Sequence, residues 1–282
     1  MKVSVLTLVR GRSRHLANVI RGLENNSRLP DELVIVHMNE DALPQQSAHF
    51  PIRVETIRDP AALLPLAAAR NHAAMSASGD ALVFLDVDCI PAPALLDRYH
   101  KALLAHPEAL HQGEVRYLPE DAKIDFSAPL QADALPHPLH AEYVNGQRVP
   151  YPLFWSLSFA CTRATFMRIG RFDERYRGYG AEDTDFAFRA READIPLYRS
   201  DALAFHQYHP SYSPPLNHFD SIIDNARVFK NRWGHWPMEG WLQAFAQRGL
   251  VTMTDNVLVV LRSPTADEIA DSLTFPTTPA PD

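Results

Sequence analysis

With 282 residues and a formal net charge of −7, the chain can bury a substantial core and is too acidic for nucleic acid to be its main ligand. A small phosphorylated ligand is not excluded, since it needs only a local cluster of donors. Two cysteines, Cys89 and Cys161, set neither a disulfide framework nor a metal knot. Both stand in apolar, strand-like runs and read as buried free thiols. Met1 leads straight into a strand pattern, with no signal peptide and no apolar run of bilayer-spanning length. The expectation is a soluble cytoplasmic protein, with docking to the inner face of a membrane left open.

In chain order, strands alternate with helices. VSVLTLV (residues 3–9) is a short apolar, β-branched run and reads as a buried strand. From about Ser13 to Asn26, Leu16, Val19, Ile20 and Leu23 recur at helical spacing. ELVIVHM (32–38) is a second strand and RVETIR (53–58) a shorter third. AALLPLAAARNHAAMSASG reads as a helix ending at Gly79, with Pro65 in or before its first turn. ALVFLDVD (81–88) is a fourth strand that runs directly into acids. This alternation predicts a mostly parallel sheet covered on both faces, with ligands beyond the carboxyl ends of its strands.

The second half is less regular. Residues 119–152 are rich in Pro, His, Asp and Ala and read as a long loop or lid. FWSLSFACT looks like a strand, followed by a short helix near 163–169. A helix is expected from Glu182 to about Ala193, and PLYRSDALAFHQYHP reads as a strand ending in histidines. From Leu216 to about Gln247 the pattern is helical and aromatic-rich, broken around 234–237, and residues 274–282 read as a disordered tail.

Three stretches carry chemistry. In FLDVDCIP, Asp86 and Asp88 end a buried strand, a costly place for carboxylates unless a cation with a diphosphate satisfies them. Asp-x-Asp by itself is also common as a solvated turn. In AFHQYHP, His206 and His209 are turn histidines or, as neutral imidazoles, ligands that complete a metal site. In YRGYGAEDTDFAFRARE, a charged helix start explains one or two acids but not the Gly-Tyr-Gly before them. Gly178 and Gly180 permit unusual backbone angles, Tyr179 offers a flat face for a sugar, and Glu182 and Asp183 supply carboxylates for acceptor binding and base work.

Together these stretches resemble the GT-A glycosyltransferases of family 2, with a C-terminal part similar to the β-1,4-galactosyltransferase type. The matching residues are VSVLTLVRGRSRHLANVIRGL, AAARNHAA, FLDVDCIP, FMRIGRFDERYRGYGAEDTDFAFRA and FHQYHP, spread over roughly residues 1 to 210. The resemblance implies an α/β GT-A (Rossmann-like) catalytic domain over 1–210, with a donor half to about 118 and an acceptor half over 150–210. A C-terminal helical extension over 211–273 would follow. It implies that Asp88 binds Mn²⁺ or Mg²⁺, that His206 completes the metal site with His209 in reserve, and that Asp86 meets the ribose or the metal shell. Asp183 would be the catalytic base, Glu182 would hold the acceptor, and Tyr179 would line the sugar site. Thr7, Val9 and Arg10 would meet the nucleotide, and Arg70 the base or diphosphate. Family members often read the base with aspartates after the second strand; here HMNED leaves Asn39 or Asp41 to serve. SLS (156–158) replaces the usual glycine pair beside the donor sugar.

The implied reaction is metal-dependent, inverting transfer from a nucleotide-diphosphate sugar, UDP-linked by preference and GDP-linked as the alternative. The acceptor would be a hydroxyl on a glycan, a lipid-linked or a small molecule, as in polysaccharide biosynthesis. The rival readings are a non-catalytic carbohydrate-binding protein of the same fold, a sugar nucleotidyltransferase and a hydrolase. A nucleotidyltransferase would want a glycine-rich loop after the first strand, where this chain has one glycine in LTLVRGRSRH. A hydrolase would leave the Asp-x-Asp and the histidine unexplained.

Overall fold

The computed structural model describes residues 1–127, 130, 134–136 and 142–274. β1 (Val3–Val9) is buried at every position and lies inside a mixed, mostly parallel sheet, where a continuous apolar run belongs. α1 (Ser13–Glu24) buries the stripe of Leu16, Val19, Ile20 and Leu23 against it. β2 (Glu32–Met38) and β3 (Ile52–Ile57) pair in parallel outward from β1, with Val9, His37 and Thr56 in register. α2 (Leu66–Ser76) starts immediately after Pro65, whose ring suits a first turn. It stops short of Gly79, because Ser78 bonds to Glu32 and the Gly79 N–H to Ser4 Oγ, drawing the chain into the sheet edge.

β4 (Ala81–Leu85) is shorter than the run to Asp88 expected from sequence. The Asp86 N–H donates to Leu157 O and the Cys89 N–H to Asp86 O, so the chain bends at the acids. It re-enters the sheet as β5 (Cys89–Pro91). The next stretch, where the sequence pattern sets no element, forms α3 (Leu95–Ala105) and β6 (Leu110–Tyr117). β7 (Leu135–Pro136) pairs with β6 within the long 119–152 segment, part of which lies outside the described residues. β8 (Ser158–Thr162) begins later than FWSLSFACT suggests, since Phe154 turns into the core against Phe159 and Phe186. α4 (Arg163–Ile169) is capped by Thr162, whose hydroxyl accepts the Thr165 N–H. α5 (Glu182–Glu192) and β9 (Leu197–His206) complete the sheet, in the order β3-β2-β1-β4-β8-β6-β9-β5. Two apolar clusters fill its two faces, and Cys89 and Cys161 are buried free thiols within them.

The C-terminal extension is only partly helical. β10 (Ser211–Tyr212) leads to α6 (Phe219–Trp233), and Gly234 in a left-handed conformation ends that helix where the sequence pattern breaks. α7 (Glu239–Gln247), a hairpin of β11 (Val251–Met253) and β12 (Leu258–Val260), and α8 (Ala266–Asp271) follow. β13 (Leu273–Thr274) then pairs back onto β10, so Thr274 belongs to the fold rather than to a tail; residues 275–282 lie outside the described residues. Phe219, Phe229 and Trp236 are buried, while the Trp233 indole N–H donates to the buried Asp185 at 3.0 Å and fastens the extension to α5. Among the described residues, no helix is long and apolar enough to cross a membrane.

Candidate active site

The bend after β4 and the end of β9 bring distant acids and histidines together. Cys89 pairs with His206 across β5 and β9, and the Gln207 N–H donates to Asp88 O at 2.6 Å, so Asp88 faces the end of β9. Asp88 Oδ1 lies 3.6 Å from His206 Nε2 and Oδ2 lies 3.5 Å from His209 Nε2. One ligand atom from each of these residues lies within 4.8 Å of the others. A carboxylate oxygen with two imidazole nitrogens is a donor set suited to a divalent cation of borderline hardness.

The electrostatics keep those groups in ligand form. Burial works against a charge on Asp88, but His206, a hydrogen bond from His209 and Arg12 hold its carboxyl well below the usual range. Burial pushes the His206 imidazole down to about 4, against the pull of Asp88, so it is neutral at pH 7 with a free lone pair. The 3.6 Å contact is therefore an ion–dipole contact and not an ion pair. Arg12 Nη1 sits 2.8 Å from Asp88 Oδ2, placing positive charge where a cation would be held.

Asp86 leads from this cluster to the acids of α5. Arg70, buried on α2, lies 3.8 Å from Asp86 Oδ1 and 2.9 Å from Glu182 Oε1, and its ring partner is Phe172 at 5.2 Å. Burial disfavours the Arg70 charge, but Glu182 and Asp86 outweigh it and hold the guanidinium more firmly protonated. Burial raises the Asp86 carboxyl, an effect Arg70 offsets and the Asp88 charge reinforces. Asp183 is half-buried, accepts the Thr184 N–H at 2.8 Å, and is bonded by the Ser156 N–H. Burial and then the Glu182 charge push its carboxyl up to about 7. The third acid of the stretch, Asp185, is fully buried and bonded to Arg189, Trp233 and Tyr176. That makes Asp185 structural.

The Gly-Tyr-Gly question has a steric answer. Gly178 and Gly180 have φ of +77° and +99°, and a Cβ on Gly178 would lie 2.3 Å from Ser221 Cβ on α6. The same helix fixes the loop: Asn225 donates to Tyr179 O and Gly180 O and accepts the Arg177 N–H. Asp59 binds Arg177 through both oxygens, and the Gly178 N–H donates to Leu64 O. The loop is thus clamped from both sides just before Glu182 and Asp183. The Tyr179 ring does not stand alone, because His218 and Trp241 stack on it.

A cavity of about 200 Å³ opens beyond the carboxyl ends of β1 and β2, lined by Val9, Gly11, His37, Glu40, Asp41 and Leu43 among others. Thr7 lies buried in β1 with its hydroxyl unpaired among the described residues. Val9 reaches the cavity, while Arg10 is exposed and lies near His218. Asn39 is absorbed by the fold: its amide donates to Leu63 O at 2.8 Å and accepts the Asp59 N–H at 2.7 Å. Asp41 is 94% exposed and paired with Arg58. Glu40 instead holds His37 Nδ1 at 2.7 Å and the Gly11 N–H at 2.6 Å, leaving His37 Nε2 buried and unpaired among the described residues. Sequence reasoning passed over His37 and Glu40, although both stand in VHMNED at the end of β2.

The curled, mixed sheet, with carboxylates and imidazoles gathered beyond its strand ends, has the GT-A fold. The chain belongs to glycosyl transferase family 2, whose family model matches residues 4–174. That match ends at residue 174 and does not bear on the C-terminal part expected to resemble the β-1,4-galactosyltransferase type. A curated relative, validoxylamine A glucosyltransferase of Streptomyces hygroscopicus subsp. jinggangensis (strain 5008), is 28% identical over 158 residues. That match covers 47% of this chain and 36% of the relative, so the chain spans about a third of its length. Among solved structures, S. aureus TarS 1-349 in complex with UDP is 16% identical, with a TM-score of 0.56 over 89% of this chain and 71% of that one. GalNAc-T7 with UDP, GalNAc and Mn²⁺ is 14% identical, with a TM-score of 0.54 over 74% of this chain and 44% of that one.

Proposed function

We propose that the chain transfers a sugar, with inversion, from a UDP-linked donor to a hydroxyl acceptor, with Asp183 as base and a divalent cation at Asp88, His206 and His209. One observation carries this reading. The Asp88 cluster and Asp183 stand at two ends of a single relay of charged groups, Asp86, Arg70 and Glu182. The UDP and Mn²⁺ present with the structural neighbours support a nucleotide-sugar donor and a metal.

Asp88, His206 and His209 would hold the cation, which would supply neutralisation of the charge building on the departing diphosphate. The rest falls to the chain's own side chains. The cavity at Val9, His37, Glu40 and Asp41 takes the nucleobase, while Asn39, bonded to Leu63 O and the Asp59 N–H, is left out of it. Arg70 is held protonated and beside Asp86, and it adds fixed positive charge near the leaving group without reorganising. Glu182 is anchored to Arg70 and positions the acceptor, while Asp183, next to it and not paired with Arg70, removes the acceptor's proton. A leaving group that departs as a bound phosphate needs no general acid, so one base suffices.

Two measurements test the reading together. Asp183→Asn is expected to bind UDP as tightly as the parent chain while turnover falls about a thousandfold or more. Asp88→Ala is expected to abolish the Mn²⁺ dependence of UDP binding in calorimetry. Near-normal turnover in the first variant, or unchanged Mn²⁺ dependence in the second, refutes the assignment.

A further inference from the structure

Strand geometry makes the two histidines a puzzle. Along an extended strand successive side chains point to opposite faces, so residues three apart, such as His206 and His209, belong on opposite sides. β9 ends at His206, yet both imidazoles reach one carboxylate. Their Nε2 atoms lie 3.6 Å and 3.5 Å from the oxygens of Asp88, with 5.0 Å between ring centres. The chain must therefore turn over between them, at Gln207 and Tyr208.

That short stretch is where α1 takes hold. Gln207 is 4% exposed, and its backbone N–H donates to Asp88 O at 2.6 Å. Its side chain reaches the helix: Asn18 Nδ2 donates to Gln207 Oε1 at 2.7 Å, and Gln207 Nε2 donates to His15 O at 3.2 Å. The His15 imidazole is hydrogen-bonded to the Tyr208 backbone, and its ring meets that of His209 in a T shape, 6.3 Å between centres. Past the turn, His209 Nδ1 bonds to Pro210 O at 2.9 Å, which leaves Nε2 to face Asp88. On the other side the Tyr117 ring packs against His206 at 4.9 Å.

A buried, fully bonded glutamine is often a staple of the fold and nothing more. The place of Gln207 argues for more. It adjoins one imidazole, stands two residues before the other, and holds the backbone of Asp88. A slip of one residue in this turn would carry His209 to the far face.

We propose that Gln207, held by Asn18, is a positioning residue for the cation site, and that their hydrogen bond sets the turn bringing His209 round to join His206 and Asp88. The proposal rests on the cation reading above and adds to it two residues that offer no ligand atom to the cluster.

The test measures Mn²⁺ binding by the full chain, alone and with UDP, from the paramagnetic resonance signal of the free ion. Asn18→Ala keeps a good helix former on α1 and removes the donor. Gln207→Met keeps the volume and removes both polar atoms. Each is expected to raise the Mn²⁺ dissociation constant about tenfold or more, as losing an outer partner of a metal site does. Because the two residues act through one bond, the double variant should bind no more weakly than the weaker single. Ala17→Gly, at an exposed position of α1, is the control. It loosens the helix without touching Gln207 and should leave Mn²⁺ affinity at the parent's value. Parental affinity in both single variants, losses that add in the double, or an equal loss in Ala17→Gly overturns the proposal and leaves the cation reading standing. A parent chain that binds no Mn²⁺, with or without UDP, removes the cation reading, and this proposal with it.

Discussion

Gly178→Ala isolates the steric logic of the loop before the acids. The added methyl would stand 2.3 Å from Ser221 Cβ and 2.7 Å from its hydroxyl, on a backbone with φ of +77°. The left-handed conformation costs an L-residue about 1–2 kcal/mol, and forcing a methyl into a filled site costs about 1–3 kcal/mol more. A total near 2–5 kcal/mol exceeds what the loop's local hydrogen bonds hold, so the loop should shift instead of the whole domain unfolding. A displacement of about 1 Å at the base suffices to slow turnover about a hundredfold. The expected outcome is a large fall in kcat, a smaller fall in the urea midpoint, and UDP affinity close to the parent's.

Ser221→Gly supplies the control. Alone it should destabilise by about 1 kcal/mol through its place in α6 and lose the bond to the Tyr179 N–H. Combined with Gly178→Ala it removes the clash, so the double variant should be more stable than the sum of the singles by about 1–3 kcal/mol. The backbone cost of the left-handed conformation would remain. Additive effects, or a Gly178→Ala variant with normal kcat, would refute the idea that Ser221 dictates glycine there.

Two further predictions separate the acids of α5. The Asp183 carboxyl is raised to about 7, and a base must be ionised, so kcat/KM should fall as pH drops through about 7; a flat profile from about pH 5 to 8 would count against Asp183. The same shift carries a stability sign. The unfolded carboxyl ionises near 3.8 but the folded one holds its proton to about 7, so this group's contribution to stability falls as pH rises across that interval. Asp183→Asn should accordingly raise the thermal midpoint at neutral pH while abolishing turnover. Asp185→Ala should do the reverse, costing about 3–5 kcal/mol because Arg189 and the Trp233 indole lose their buried partner. A denaturation midpoint near the parent's would refute that structural role.

What could be read from sequence follows a physical divide. Runs such as VSVLTLV, and stripes such as Leu16, Val19, Ile20 and Leu23, declare themselves because burial imposes its period on neighbouring residues. The acids after β4 and the histidines at and just past the end of β9 were legible for a related reason: charged and titratable groups at the ends of buried strands must be satisfied by something. The bend that shortens β4 was not, since it is set by Leu157 O, a backbone atom with no side-chain signature. Asn39 illustrates the opposite error. An amide after β2 looks free to read a base, yet the Leu63 carbonyl and the Asp59 N–H, more than a dozen residues on, already occupy it.

The Gly-Tyr-Gly stretch shows where local pattern gives out. Two glycines announce an unusual backbone, but the reason lies on α6, more than forty residues downstream, whose own sequence reports only an amphipathic helix. Ser221 and Asn225 carry no chemistry visible in isolation. They acquire a role because Trp233, at the far end of the same helix, is fastened to Asp185 and fixes how α6 lies across the loop. If that chain of contacts is what places Asp183, then Asn225→Ala should lower kcat with little change in UDP affinity, and Asn225→Asp should retain only the bond from the Arg177 N–H. Equal kcat in the parent chain and both variants would mean that α5 alone sets the position of the base.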